Sequence, residues 1–241
     1  MDDTARWDWD GIRERTLALR ARRGRAPLAA PLSEEQVAEA ERQFGITFPA
    51  DYRAFLTTVS AGTDWPRQLC RGETGWYWAG DRQTRPALLA EPFPDHDTAL
   101  AASDDFWDNP LREEDFEDPA AFRAALAAWN DEAEAIEDAR TAGAVCLTEN
   151  GCGFATWLVV TGPDRGTMWF DGRATCDRLN PLLTDEGRPA TFGEWYLDYL
   201  EHEEPYATDE ERSAAHSRWH RGEDTPIWFR WFDDWREQVS R

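Results

Sequence analysis

Residues 32–59 read LSEEQVAEAERQFGITFPADYRAFLTTV, and the local chemistry of this stretch is the most fully specified in the chain. Ser33 stands where a helix N-cap belongs and Gln36 follows three residues later, so hydroxyl and amide each satisfy one orphaned backbone donor in a capping box. Leu32 before the cap and Val37 form a hydrophobic staple, and Val37, Ala40 and Phe44 mark one apolar face. Gly45 stops the helix, because glycine adopts the left-handed C′ conformation without a Cβ clash. Pro49 then opens a second helix at its first position, where the missing N–H is no loss. Tyr52, Phe55, Leu56 and Val59 fall at i, i+3, i+4 and i+7, and Gly62 ends this helix. Two short helices with one greasy side each are not stable alone, so they require a sheet to lie on.

The order L-S-x-x-x-V-A-x-x-E, then F-G-I-T-F-P-A-D-Y-R-A-F-L, resembles the N-terminal signature of the SUKH superfamily, which includes a fungal regulator of cell-wall synthesis and many bacterial toxin-immunity proteins. The matching positions are Leu32, Glu41, Gly45, Pro49, Asp51, Tyr52, Phe55 and Leu56. Phe48 replaces the leucine usual before the proline, and Ala61-Gly62 replaces an Asn-Gly or Gly-Gly pair; both departures concern loops. Further on, Leu158 to Trp169 gives L-V-V-T-G-x-x-x-G-x-M-W, similar to the SUKH meander. Thr191 to Leu200 gives T-F-x-x-W-x-x-x-Y-L, similar to the helix that closes that core. The likeness runs from Leu32 to about Glu204. It implies an α+β fold, a mainly antiparallel sheet flanked by N- and C-terminal helices.

The 241 residues carry 48 acidic against 26 basic side chains, a formal net charge of −22, and 14 tryptophans. Phosphate binding rests on clustered Lys and Arg, so direct contact with nucleic acid is not expected; the charge suits a basic protein partner, the plain alternative being that a strongly negative surface simply keeps the protein in solution. No lysine is present, which removes Schiff-base chemistry and the lysine of a phosphate-binding loop. No run approaches the ~18 apolar residues of a membrane span. The acidic N-terminus lacks a signal-peptide core, so a cytoplasmic protein is expected. Cys70, Cys146, Cys152 and Cys176 lack a C-x-x-C pair and fit reduced thiols.

Before the deciding stretch, Trp7 to Arg23 reads as a helix carrying Trp9, Ile12, Leu17 and Leu19. Its arginine-rich end (Arg20, Arg22, Arg23, Arg25) suits a helix C-terminus better than a nucleic-acid patch, and residues 1–31 form an N-terminal helix and linker. Residues 32–204 form the SUKH-like domain. Within it, Gly75 to Trp78 is a strand, Ala87 to Leu89 another short strand or extended segment, and Val145 to Leu147, Phe154 to Val160 and Thr167 to Asp171 are strands joined by glycine turns. Gly151, Gly153, Gly162 and Gly166 sit in those strand-to-strand turns, which is not the strand-to-helix setting of a phosphate cradle. Thr191 and Glu194 form a second capping box, with Phe192, Trp195, Tyr196, Tyr199 and Leu200 on one helix face.

Residues 104–142 are an acidic helical insertion. It opens with Asp104, Asp105, Trp107, Asp108, Glu113, Glu114, Asp115, Glu117 and Asp118, and continues into a helix begun by Asp118-Pro119 with Phe122, Leu126, Trp129 and Ile136 down one side. Those nine residues are the candidate partner surface; the plain alternative is a solvated charged face. Residues 205–241 form a helical C-terminal extension: a polar helix over Thr208 to Arg221, then an aromatic one with Trp228, Phe232, Trp235 and Val239 aligned. That last helix packs on the core or, if exposed, serves docking or dimerisation. Monomer and homodimer both stay open.

Chemistry finds little support. His216 and His220 stand four apart with Glu210, Glu211 or Glu223 in reach, but Ser217 occupies the position where H-E-x-x-H needs glutamate, and no metal is expected. Cys146 and Cys152 with His202 read as small side chains in and beside a strand, not a zinc set. There is no G-x-S-x-G elbow, and among so many acids a chance carboxylate pair carries no information. No cofactor is expected. The resemblance implies a binding protein and not an enzyme: an immunity protein sequestering a cognate toxin domain, often a nuclease, or a regulatory scaffold with a cellular partner. A hydrolase with a carboxylate or histidine site is the third class.

Overall fold

The computed structural model describes residues 6–63, 65–176, 178–206 and 208–230. The quoted stretch folds largely as its chemistry requires. Helix α2 (Glu34–Phe44) is capped by Ser33, whose hydroxyl accepts from Gln36 N–H while the Gln36 side chain accepts from Ser33 N–H at 2.8 Å, and Gly45 ends it at φ 69°. Glu41 then accepts the Phe48 amide at 2.9 Å, which steers the chain into α3 (Ala50–Ala54).

Three details differ from expectation here. Pro49 is the N-cap of α3, one residue outside the helix, and α3 widens without a break into a π-helical turn, Phe55–Val59. The wider turn still leaves Tyr52, Phe55, Leu56 and Val59 all buried. Ser60 is the C-cap, and Gly62 acts by close approach instead: at φ 114° a Cβ there would stand 2.5 Å from the Arg67 carbonyl oxygen.

Helix α1 (Trp9–Arg22) packs on this π-turn and on α7 (Phe192–Glu203), burying Trp9, Ile12, Thr16 and Leu19. Leu17, expected on that stripe, is 41% exposed. Thr16 takes the inward position because its hydroxyl bonds the Ile12 carbonyl at 2.8 Å and contacts the Tyr196 hydroxyl at 3.1 Å.

Strands β1 (Leu69–Gly72) and β2 (Gly75–Trp78) form a two-stranded antiparallel sheet. The main sheet is an antiparallel meander of β3 (Ala144–Gly151), β4 (Phe154–Val159), β5 (Met168–Asp171) and β6 (Leu179–Pro181) in sequential order. Its pleat sends Val145, Leu147, Phe154, Leu158, Met168 and Phe170 into the principal core with α1, α2, α3 and α7. Ala144, Cys146, Ala155, Trp157, Val159, Trp169 and Leu179 form a second apolar layer with Phe93. The sheet is therefore buried on both faces. The expected strand at Ala87 to Leu89 is a 3-10 turn (Pro86–Leu88), because Pro86 opens it and Leu88 N–H bonds the Arg85 carbonyl.

Residues 96–139 form a helical hairpin. Its first helix, α4 (His96–Asp108), starts ahead of Asp104 and turns the stretch expected as an irregular approach into helix. A 3-10 turn (Glu113–Asp115) leads to α5 (Pro119–Ala139). After the short α6 (Arg173–Cys176) come α7 (Phe192–Glu203), with its Thr191–Glu194 capping box, and α8 (Asp209–Trp219), capped by Thr208. Ile227–Phe229 is a 3-10 turn; Phe232, Trp235 and Val239 lie outside the described residues. No described helix is long and apolar enough to cross a membrane.

Candidate protein-binding surface

The hairpin is built to hold its tip still. Asp95 caps α4 by accepting the Thr98 amide at 2.9 Å, and Asp118 caps α5 by accepting the Ala120 amide at 2.9 Å, with Pro119 in the first turn. Between the helices, Phe106 stacks on Trp129 with ring centroids 4.9 Å apart, and Trp107 meets Trp129 edge-on at 5.1 Å. Nearer the root, the Ser103 hydroxyl donates to Glu137 at 2.8 Å.

The root is fastened to the sheet by ion pairs. Arg173 reaches Asp171 at 2.8 Å and Glu137 at 3.3 Å, and the Trp157 indole N–H donates to Asp171 at 3.2 Å. Arg85 holds Asp138 at 2.5 Å from the other side. This chain of charge-assisted contacts joins α5 to β4 and β5, so the hairpin moves with the sheet.

All nine candidate residues are exposed. Asp104, Asp105, Trp107 and Asp108 occupy the last turns of α4; Glu113, Glu114 and Asp115 form the 3-10 turn; Glu117 and Asp118 precede α5. Chain connection puts both groups at the linked end of the hairpin. Trp107 is 48% exposed, a large apolar side chain standing among carboxylates. Arg112 is the nearby cation, 3.7 Å from Glu114. Two of the nine also serve the fold: Asp118 is the α5 cap, and the Asp105 carbonyl accepts from the Asn109 side chain at 2.7 Å. Sequence reasoning missed Phe106, the residue that orients Trp107 and Trp129. Its i, i+3 relation to Ser103 was the available signal.

Nothing at this surface resembles a reaction centre, and elsewhere the buried thiol Cys146 and the histidines of α8 and its end are engaged in packing. Burial pushes the Cys146 thiol up to about 12, so it stays protonated and a poor metal ligand. His216 packs against Trp219 at 4.4 Å with Glu203 3.9 Å away, and His220 lies edge-on to Phe229. Among the described residues no group of three or more His, Cys, Asp or Glu is placed to hold a metal ion.

A paired-helix lid on a curled antiparallel meander is the arrangement the quoted motifs called for, and residues 31–173 match the SMI1 / KNR4 family (SUKH-1). The chain belongs to that family. No curated protein and no solved structure gives a match to it. The SMI1 / KNR4 assignment supports a protein-interaction or immunity-type role in general, in a family that is generally non-catalytic. It spans the lid, both sheets as far as β5, and the whole acidic hairpin.

Proposed function

We propose that this protein is an immunity protein of the cytoplasm of a bacterium, without catalysis of its own, that sequesters and neutralises a cognate basic toxin domain. A nuclease is the fitting class, since its active site must itself attract phosphates. The observation that carries the reading is an exposed tryptophan, Trp107, packed edge-on against Trp129 of the facing helix at the hairpin end that also carries the exposed acids Asp104, Asp105, Asp108 and those of residues 113–118. Such a surface offers an aromatic anchor for a central hot spot and a negative rim that steers a basic partner and mimics its substrate. On this reading residues 32–204 form the working domain, with 104–142 as the binding insertion and 205–241 as an extension.

The test is calorimetric titration with the toxin domain encoded in the adjacent reading frame. Trp107→Ala is expected to weaken the complex by at least about 2 kcal/mol, the mark of a hot spot. In stopped-flow binding, the triple change Asp104→Asn, Asp105→Asn and Asp108→Asn is expected to slow association more than it speeds dissociation. Failure of the intact protein to bind or protect against that toxin overturns the immunity role. Tight binding unaffected by either variant moves the interface elsewhere.

A further inference from the structure

The arginines that close α1 gather around a cleft. Arg20, Arg23 and Arg25 meet Arg212 of α8 about a hollow of 590 Å³ whose other walls include the rings of Trp65, Tyr199 and Trp228. That volume falls within the roughly 300–1,000 Å³ usual for ligand sites. A second hollow of 440 Å³ shares Arg20, Ala26, Thr63 and Glu149 with it, so the two run together as one groove along the linker.

Its charge is opposite to that of the molecule. Arg67 lines the second hollow and holds Glu149 at 2.6 Å and Asp81 at 3.8 Å, while Arg23 and Arg212 share the buried Glu203 behind the first. Five guanidiniums thus face three carboxylates in a chain of net charge −22. Arg20 donates twice to the Ala26 carbonyl, at 2.9 and 2.6 Å, which fixes the turn carrying Arg25. Arg25 is exposed, and among the described residues its guanidinium forms no hydrogen bond or ion pair. The aromatic wall is preformed: Trp65 lies on Tyr199 with centroids 4.0 Å apart and meets Trp228 edge-on at 6.2 Å.

We infer that this groove is a second binding site, separate from the hairpin and opposite to it in charge, which takes an extended acidic peptide carrying an aromatic side chain. Guanidinium groups match carboxylates in a two-pronged geometry, and the ring wall accepts a flat apolar group beside them. Two hollows in line suit an extended chain better than a compact anion. The protein would then join a basic partner at the hairpin to an acidic segment at the groove, and this site stands whether or not the first partner is a toxin.

Fluorescence anisotropy on the full-length protein tests it, with a fluorescein-labelled peptide of glutamates flanking one tryptophan as probe. The peptide is expected to bind, and its affinity to fall about tenfold with Arg25→Glu and about tenfold when the peptide tryptophan is alanine. The same peptide with lysine for glutamate is expected not to displace the acidic peptide from the groove. Arg25 is exposed, so the variant should keep the parent circular dichroism and melting curve. Absence of peptide binding, unchanged affinity in the folded Arg25→Glu protein, or tighter binding of ATP that displaces the peptide would each overturn the proposal. Trp107→Ala is expected to leave the peptide affinity unchanged, which separates this site from the hairpin.

Discussion

Glu203, at the end of α7, has no exposed surface and is met by Arg23, by Arg212 Nε at 3.1 Å and by His216 Nε2 at 3.9 Å. Burial alone raises a carboxyl, but the His216, Arg212 and Arg23 contacts outweigh it and hold Glu203 down at about 2. An unfolded glutamate titrates near 4.3, so the ionised group stabilises the fold at neutral pH and that contribution, on the order of 3 kcal/mol, is lost as pH falls through about 4 towards 2. Glu203→Ala is expected to lower stability by about 3 kcal/mol, since it removes the shared partner of the partly buried Arg23 and Arg212 guanidiniums, and to flatten the acid limb of the stability curve in urea denaturation. His202 moves the other way. Its hydrogen bond to Asp198 outweighs burial and raises it to about 8. That contribution is complete below the unfolded value of about 6.5 and is lost as pH rises through about 8; being partly exposed, it amounts to about 1 kcal/mol. An NMR titration of the imidazole checks the value.

Among the elements, the hairpin shows how a structural joint creates a surface. Both of its roots cross at Gly143, where φ is 66° and a Cβ would stand 2.4 Å from the Glu91 carbonyl oxygen and 2.7 Å from the Phe93 amide nitrogen. Gly143 donates to the Leu88 carbonyl at 2.9 Å and accepts from Val160 at 2.7 Å, so the crossing cannot spread without breaking the ladder that starts β3. Gly143→Ala is expected to destabilise by at least about 2 kcal/mol, against the usual gain from replacing glycine, with faster hydrogen exchange across residues 96–139 as the specific sign. In the lid, the Trp78 indole donates to the buried Tyr52 hydroxyl at 2.9 Å, joining α3 to β2. Tyr52→Phe leaves that donor unsatisfied and is expected to lower stability by about 1–3 kcal/mol, read from thermal denaturation. These joints explain how local sequence signals were met or overruled. Capping boxes at Ser33 and Thr191 are satisfied within a few residues and hold, and the structure adds a third at Thr208 that the sequence reading did not name. The apolar triplet at Ala87 to Leu89 became a turn because Pro86 lacks the N–H a ladder needs, and Leu17 lost its inward place to a hydroxyl with two partners.

On the scale of the whole molecule, a net charge of −22 is spread unevenly, with carboxylates on the hairpin tip and arginines around the linker groove. A complex formed at the tip with a basic partner is expected to associate at least about tenfold more slowly when salt rises from about 0.05 to about 0.5 M, with dissociation little changed, because screening acts on the approach. Stopped-flow fluorescence of the tryptophans checks this. The chain's own letters determined the paired-helix lid, the glycine-broken meander, the aromatic helix α7 and the acidity of residues 104–118, since caps, turns and apolar periods act over a few neighbours. Tertiary structure alone decided that Trp129 of α5 meets Phe106 and Trp107 of α4, and that Arg20, Arg25, Arg67 and Arg212 converge on one groove. Those residues stand up to 192 positions apart and share no local signal; only burial of the sheet on both faces brings their elements together.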